Sequence, residues 1–279
     1  MASQTGDASD QQAEHLVSVV IPALNEAGNI GRLVEETFSA VPERNLREVI
    51  VVDDGSDDAT PDELAALTQR YANLRVIRHA QRCGQSASLR TGITAARSDV
   101  IATMDGDGQN DPHDIPSLLA KLGKPGGDGP ALVNGVRAAR KATGSKRFAS
   151  TAANKIRDFV LRDDCPDTGC GIKVYWREVF LRLPFFTSMH RYLPFLFQTY
   201  GYRAAFGNVN DRDRMAGTSK YTNFGRAFVG MYDLIGVTWL ARRTKVPVIV
   251  YERHAAGDAI SPGEDVAAAG EHTAPEKID

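Results

Sequence analysis

Glu48-Val-Ile-Val-Val-Asp53 is a short run rich in β-branched residues that leads into the acidic stretch Asp54-Gly-Ser-Asp-Asp58. A run that is apolar on both of its alternating sides reads as a strand covered on both faces, as in a parallel sheet with helices packed above and below. The same pattern precedes it in Val17-Ser-Val-Val-Ile-Pro22 and follows it in Leu74-Arg-Val-Ile-Arg78, Val100-Ile-Ala-Thr-Met104 and Ala131-Leu-Val-Asn-Gly-Val136, with helical patterns between. Thr60-Pro-Asp-Glu63 has the form of an N-cap, a first-turn proline and a capping-box glutamate, and Asp111-Pro112 opens another helix in the same way. Residues up to about 136 are therefore expected to form one α/β unit. Beyond the turn-rich Gly123-Lys-Pro-Gly-Gly-Asp-Gly-Pro130, the chain becomes more irregular and more aromatic, as expected of a part that completes a site and receives a second substrate.

At 279 residues, with 42% hydrophobic and 24% charged content, the chain is long enough to bury a sizeable core. A net charge of -2 gives no large positive field, so nucleic acid is not an expected partner. Cys83, Cys165 and Cys170 form no Cys-x-x-Cys pair, are odd in number and sit far from any His at zinc-finger spacing, which fits a reduced, cytoplasmic protein. Met1 to Glu14 is polar and acidic, without the basic start and apolar run of a signal peptide. No window reaches the roughly 18 to 20 uncharged apolar residues of a membrane span. The nearest, Phe224 to Leu240, contains Arg226 and Asp233 and runs into Arg242, Arg243 and Lys245, the pattern of an amphipathic helix with a basic end.

In an open α/β sheet, ligands bind beyond the carboxyl ends of the strands. Three polar motifs fall there: Pro22-Ala-Leu-Asn-Glu26, Asp53-Asp-Gly-Ser-Asp-Asp58 and Asp105-Gly-Asp-Gly-Gln109. The first turn lacks Gly-x-Gly-x-x-Gly, and no Gly-x-x-x-x-Gly-Lys-[Ser/Thr] is present, which counts against a dehydrogenase and a P-loop NTPase. An EF-hand would need Gly and Glu where Asn110 and Pro116 stand. On an extended segment, Asp105, Asp107 and Gln109 share one side, because side chains repeat every second residue. Such a pair of carboxylates invites a hard divalent cation that shares its shell with phosphate oxygens, as a nucleotide diphosphate leaving group requires. Asp53 and Asp54 read equally as turn formers or as acceptors for a base or ribose.

Together these motifs resemble glycosyltransferase family 2, over a span from about Val17 to about Arg243. Within it they are most similar to the polyprenyl-phosphate glycosyltransferases, the group that includes dolichyl-phosphate mannose synthases and bacterial undecaprenyl-phosphate sugar transferases. The resemblance implies the nucleotide-diphospho-sugar transferase (GT-A) fold: a Rossmann-like α/β architecture with a mostly parallel sheet, helices on both faces and a C-terminal acceptor-side extension. It places Pro22, Leu24, Asn25, Glu26 and Asp54 at the nucleotide, and Asp105, Asp107 and Gln109 at the diphosphate and a Mg²⁺ or Mn²⁺ ion. Gln81-Arg-Cys-Gly-Gln85 stands where relatives carry an Asn-x-Gly-Lys-like loop, so Gln85 joins the donor contacts with Gln in place of Lys. Asp167-Thr-Gly-Cys-Gly-Ile-Lys173 is similar to the Asp-x-x-Ser-Gly-Phe-[Arg/Lys] segment on the sugar and acceptor side, without a serine whose role carries over. His190-Arg-Tyr-Leu-Pro194 and the stretch from Arg212 to Tyr221 are similar to basic elements at a lipid phosphate, which makes Arg191, Arg214, Ser219 and Lys220 the acceptor-phosphate candidates.

The implied activity is inverting, metal-dependent sugar transfer from a UDP- or GDP-linked donor to a polyprenyl phosphate, by a protein peripheral on the inner face of the cytoplasmic membrane. Asp167 is expected to contact the sugar or, if the acceptor is a hydroxyl, to act as base. The expected organisation is a disordered segment over 1–14, the transferase domain over 15–221, an amphipathic membrane-proximal segment over 222–253 and a disordered acidic tail over 254–279. Rival readings are a family 2 transferase that glycosylates a hydroxyl of a polysaccharide or glycolipid, a nucleotidyltransferase, and a binding-only relative.

Overall fold

The computed structural model describes residues 15–137, 157, 160–212, 223–247, 252–253 and 259–260. Strands β1 (Val17–Ala23), β2 (Leu46–Asp53), β3 (Leu74–Arg78) and β4 (Val100–Thr103) lie where the apolar runs predict them, linked by helices α1 (Ile30–Ala40), α2 (Thr60–Arg70) and α3 (Gln85–Ala95). They stand side by side as β3-β2-β1-β4, all parallel. A 3₁₀ turn, Pro112–Asp114, then leads through α4 (Ile115–Leu119) to β5 (Leu132–Arg137).

The second half supplies β6 (Lys173–Trp176), α5 (Arg177–Arg182), α6 (Leu193–Thr199), β7 (Ala204–Val209) and α7 (Asn223–Arg243). The α/β unit expected over the first 136 or so residues takes strands from the second half as well. β6 is inserted between β4 and β5, antiparallel to both, and β7 pairs parallel with β5, giving the order β3-β2-β1-β4-β6-β5-β7. The reason is burial: Val174 and Tyr175 point to opposite faces of β6 and are both fully buried, which only an internal strand allows. In a two-residue pairing, β8 (Glu252–Arg253) at the end of the expected amphipathic segment meets β9 (Ala259–Ile260) in the tail expected to be disordered.

Alternation along the strands divides the interior into two cores. Val17, Val19 and Ile21 of β1 face α1, α2 and α4, whereas Val20 meets Ile50 and Val52 of β2 under α3, α5, α6 and α7. Each such side chain removed from water contributes about 1.5–3 kcal/mol. Both faces of the sheet are thus sealed, and the strand ends are left for chemistry. β1 leads outward to β2, while β4 flanks it on the other side, so the chain diverges between the carboxyl ends of β1 and β4. Ligands of open α/β sheets bind at such a point.

Candidate active site

The loops that follow β1 and β2 are stitched together by side chains the sequence assigns to other work. Asn25, at φ 54°, donates its backbone N–H to Ser56 Oγ at 2.9 Å, and its amide exchanges hydrogen bonds with Asp57 at 2.5 and 2.9 Å. Thr60 does not cap α2. Its hydroxyl accepts from Glu26 N at 2.9 Å, and Glu63, instead of closing a capping box, accepts from Gly28 N at 2.8 Å. Thr60 N in turn donates to Asp58 Oδ1 at 2.9 Å. The donors of the first loop displace the local cap because they have no helix of their own to satisfy them.

Asp54 is buried, and its carboxylate accepts from Cys83 N at 2.8 Å and Gly84 N at 2.7 Å, with His79 Nδ1 at 2.8 Å. Burial raises its pKa, but these hydrogen bonds outweigh burial and hold the carboxyl below its ordinary range. Asp54 thereby fixes the loop that opens α3. From the first position of that helix, Gln85 Nε2 donates to Asp105 Oδ1 at 2.7 Å, and beside it Ser86 Oγ lies 2.8 Å from His190 Nδ1.

Asp105 and Asp107 come together by a route that corrects the sequence expectation. β4 ends at Thr103, and residues 105–109 form a turn with Gly108 at φ 74°, so strand alternation does not align Asp105, Asp107 and Gln109. The turn is held by Asp107 Oδ1 accepting from Gln109 N at 3.2 Å and Asn110 Oδ1 accepting from Asp105 N at 2.9 Å. It lies against the end of β1, where a Cβ on Gly106 would stand 2.7 Å from the Pro22 carbonyl oxygen. A Cβ on Gly171 would stand 2.4 Å from Asp105 Cγ, so only glycine leaves room for this carboxylate. Burial first, and then the charge of Asp107, push the Asp105 carboxyl above its ordinary value, against the pull of Lys173 and Arg137.

The second half closes the site from the other side. Lys173 is buried on β6 opposite Thr103, donates to Cys170 O and has its pKa lowered by burial. Together with Asp105, Gln85, Thr103 and His190 it lines a cavity of about 10 Å³. Burial, aided by the charges of Lys173 and Arg191, lowers His190 to about 3, so this imidazole is neutral at pH 7. A larger cleft of about 520 Å³, between Glu43, Arg47, Arg75 and Arg97, opens at the amino-terminal end of the strands, away from these groups. Asp167 is clamped by Arg137, with Nε 2.7 Å from Oδ2 and Nη2 2.9 Å from Oδ1. Burial raises the Asp167 pKa, and the arginine more than reverses the effect. Arg191 is exposed at the end of a 3₁₀ turn, Met189–Arg191. Arg214, Ser219 and Lys220 lie outside the described residues. Arg212 N donates to Gln109 O at 3.0 Å while its guanidinium pairs with Glu36 and Asp111, which makes it a tie between loops.

The family model for glycosyl transferase family 2 matches residues 18–183, a span that contains the ends of β1, β2 and β4, the α3 loop and the segment from Asp167 to Lys173. The chain belongs to this family. Dodecaprenyl-phosphate galacturonate synthase of Rhizobium johnstonii is 34% identical over 231 residues, covering 81% of this chain and 67% of that protein. Undecaprenyl-phosphate 4-deoxy-4-formamido-L-arabinose transferase of an Enterobacter species is 30% identical over 226 residues, covering 80% and 68%. In fold the chain is similar to glucosyl-3-phosphoglycerate synthase of Mycobacterium tuberculosis in complex with Mn²⁺, UDP and glucosyl-3-phosphoglycerate. The TM-score is 0.62 at 21% identity, with 90% of this chain and 88% of that one covered. The same synthase with Mg²⁺ and UDP gives 0.62 at 21% identity over equal shares of the two chains.

This family 2 glycosyltransferase therefore has the GT-A architecture inferred from its motifs, with β6 and β7 among the strands that periodicity did not locate. Its donor set fits a hard divalent cation. Two carboxylates repel each other in a partly buried turn, one of them already pushed toward protonation, and a cation relieves that cost. The sequence reading assigned no role to Arg137 and His79, and placed Lys173 and His190 only within segments similar to acceptor-side elements. His79, Arg137 and His190 each act through a partner at least 20 residues away, and no local motif reports such a partner.

Proposed function

We propose that the chain transfers a sugar, with inversion, from a nucleotide-sugar to a polyprenyl phosphate. In this reading Pro22, Leu24, Asn25, Glu26, Asp54 and Gln85 form the donor end. Asp105 and Asp107, with Gln109, would hold Mg²⁺ or Mn²⁺, which supplies positive charge for the departing diphosphate. Gln85 orients the Asp105 carboxylate through its amide. Arg191 faces the acceptor phosphate, together with Arg214, Ser219 and Lys220.

The observation that carries the choice of acceptor is the Arg137–Asp167 clamp. A hydroxyl acceptor needs a general base. Both Asp167 oxygens are engaged by Arg137, and the pair lowers the basicity of the carboxylate. A phosphate monoester, with a second pKa near 6, is already largely dianionic at neutral pH and needs placement more than deprotonation. Asp167 then serves as a fixed contact for the sugar, with Arg137 as its anchor. The oxocarbenium-like transition state is met by charges held in place before the reaction.

The acceptor's membrane is reached through α7. Leu234 and Val237 pack into the core, while Tyr232, Ile235 and Trp239 are 80, 65 and 61% exposed on the outer face. The exposed Arg242, Arg243 and Lys245 follow, with the Arg243 guanidinium 5.8 Å from the centre of the Trp239 ring. No helix among the described residues is long and apolar enough to cross a membrane. An apolar face with a basic rim suits the anionic inner surface of the cytoplasmic membrane, where each basic residue contributes about 1 kcal/mol.

The test combines radiolabelled nucleotide-sugars, Mg²⁺ or Mn²⁺, and anionic vesicles containing polyprenyl phosphate. A labelled lipid phosphosugar is expected, made by protein that sediments with the vesicles, and Trp239→Glu is expected to release the protein. Transfer to a glycolipid hydroxyl with none to the lipid phosphate would overturn the acceptor assignment. Indifference to anionic vesicles at low salt would overturn the docking.

A further inference from the structure

The loop that Asp54 organises also carries a donor set of a different chemical kind from that of Asp105 and Asp107. Asp54, His79 and Cys83 each present one ligand atom, a carboxylate oxygen, an imidazole nitrogen and a thiol sulfur, and these atoms all lie within 4.8 Å of one another. The residues come from the end of β2, the residue after β3 and the loop before α3, so the fold, not a local spacing, brings them together.

Their surroundings have the form of a supported metal site. His79 Nε2 lies 3.0 Å from Thr91 Oγ1, so the ring's second nitrogen is held and Nδ1 is aimed at the cluster. Asp54 Oδ2 is tied to Gly84 N at 2.7 Å, which holds the carboxylate plane while Oδ1 faces His79 Nδ1 at 2.8 Å. Ligating imidazoles and carboxylates are commonly oriented by such outer hydrogen bonds. Cys83 is exposed, so the sulfur side of the cluster is reachable from solvent, where a water can supply a fourth ligand. Its sulfur is engaged only weakly, 3.3 Å from the Gln81 carbonyl oxygen, and a rotation about one bond redirects it.

We propose that Asp54, His79 and Cys83 form a second metal site, one that takes Zn²⁺ or a cation of similar softness in place of the hard ion suited to Asp105 and Asp107. Sulfur and imidazole ligands favour such a metal over Mg²⁺. On binding, the metal takes the place of the proton between His79 Nδ1 and Asp54 Oδ1, the ring proton resides on Nε2 toward Thr91, and the Cys83 thiol releases its proton to solvent. The bound ion ties the ends of β2 and β3 to the loop that presents Gln85 to Asp105. A consequence, which rests on the proposed nucleotide role of Asp54, is that Zn²⁺ at this site excludes the donor.

Titration of the reduced full-length chain with Co²⁺ tests the site by its sulfur-to-cobalt charge-transfer absorption, a signal that an all-oxygen site does not give. The band is expected in the wild type and in Asp105→Asn, to be abolished by added Zn²⁺, and to be missing in Cys83→Ser. Thr91→Val, which alters no ligand, should weaken binding by about tenfold or more. Absence of the band in the wild type, or its survival in Cys83→Ser with Cys165 and Cys170 intact, would overturn the proposal. Nucleotide-sugar thermal shifts, measured with and without Zn²⁺, separate the two readings. Loss of the shift in the wild type and its retention in Cys83→Ser support donor exclusion. A sulfur-ligated ion that leaves the donor shift unchanged upholds the metal site and removes Asp54 from the donor.

Discussion

The ends of β2 and β4 carry similar sequence, aspartates interleaved with glycine, and the fold treats them in opposite ways. After β2, Asp54 and Asp58 accept hydrogen bonds from backbone N–H groups of neighbouring loops, and despite the cost of burial both carboxyls are held below their ordinary range. After β4, Asp105 receives one side-chain amide, sits beside Asp107 and is pushed above that range. The difference lies in supply: loops with unpaired donors surround the first motif, while a second carboxylate shares the second. A motif whose carboxylates already accept backbone hydrogen bonds organises the loops around it. One in which burial and a neighbouring carboxylate hold a carboxyl above its ordinary range suits a hard cation.

The largest expected effect comes from removing the raised Asp105 carboxyl. Asp105→Asn should lower the transfer rate by about 10²–10³-fold, the scale for loss of one preorganised electrostatic group. In metal-free buffer at pH 7 the same variant should melt at a higher temperature than the wild type. A carboxyl with a raised folded pKa binds its proton more tightly when folded, so its ionisation above the unfolded value costs stability, and Asn removes that cost. Initial rates and thermal melts read the two effects. A rate within a few-fold of wild type would erase the contrast between the two strand ends.

Gly171→Ala probes the same carboxylate from the neighbouring segment. The new Cβ would start 2.4 Å from Asp105 Cγ, and a displacement on the order of 1 Å at the site lowers the rate by about 10²-fold. Normal kinetics in Gly171→Ala would show that the position of Asp105 is not critical.

The smallest effect belongs to β2. Asp54→Asn should cost about 1–3 kcal/mol of stability at pH 7, since partly buried N–H groups of the α3 loop lose a charged acceptor. Its folded pKa is depressed, so the stabilisation is fully present above the unfolded value near 3.8 and is lost as pH falls through the folded value. Urea melts should therefore show the gap between wild type and variant narrowing below about pH 4. A gap that stays constant with pH would mean that the Asp54 charge does not hold the loop.

Much of this organisation is visible in the residues alone. The four leading strands, the capped turn at Asp111 and the exposed face of α7 follow from runs and periods that can be read locally. The capping box at Thr60 was legible and is not formed, because Glu26 N and Gly28 N, more than 30 residues away, compete for the same oxygens. The Asp105–Asp107 pair was legible too, but its cause was not: a turn, not strand alternation, brings the two together. β6 escaped notice because four residues carry too little period to name their neighbours.

Sequence by itself determined the α/β class, the placement of acidic motifs at strand ends and the family, because burial periods and motif spacings are properties of adjacent residues. Only the tertiary structure decided which aspartates accept hydrogen bonds from distant backbone and which is pushed above its ordinary range by burial beside a second carboxylate. That outcome depends on groups from distant segments, His79 and the α3 loop at Asp54, Gly171 and Lys173 at Asp105, Arg137 at Asp167, which meet only when the strands align.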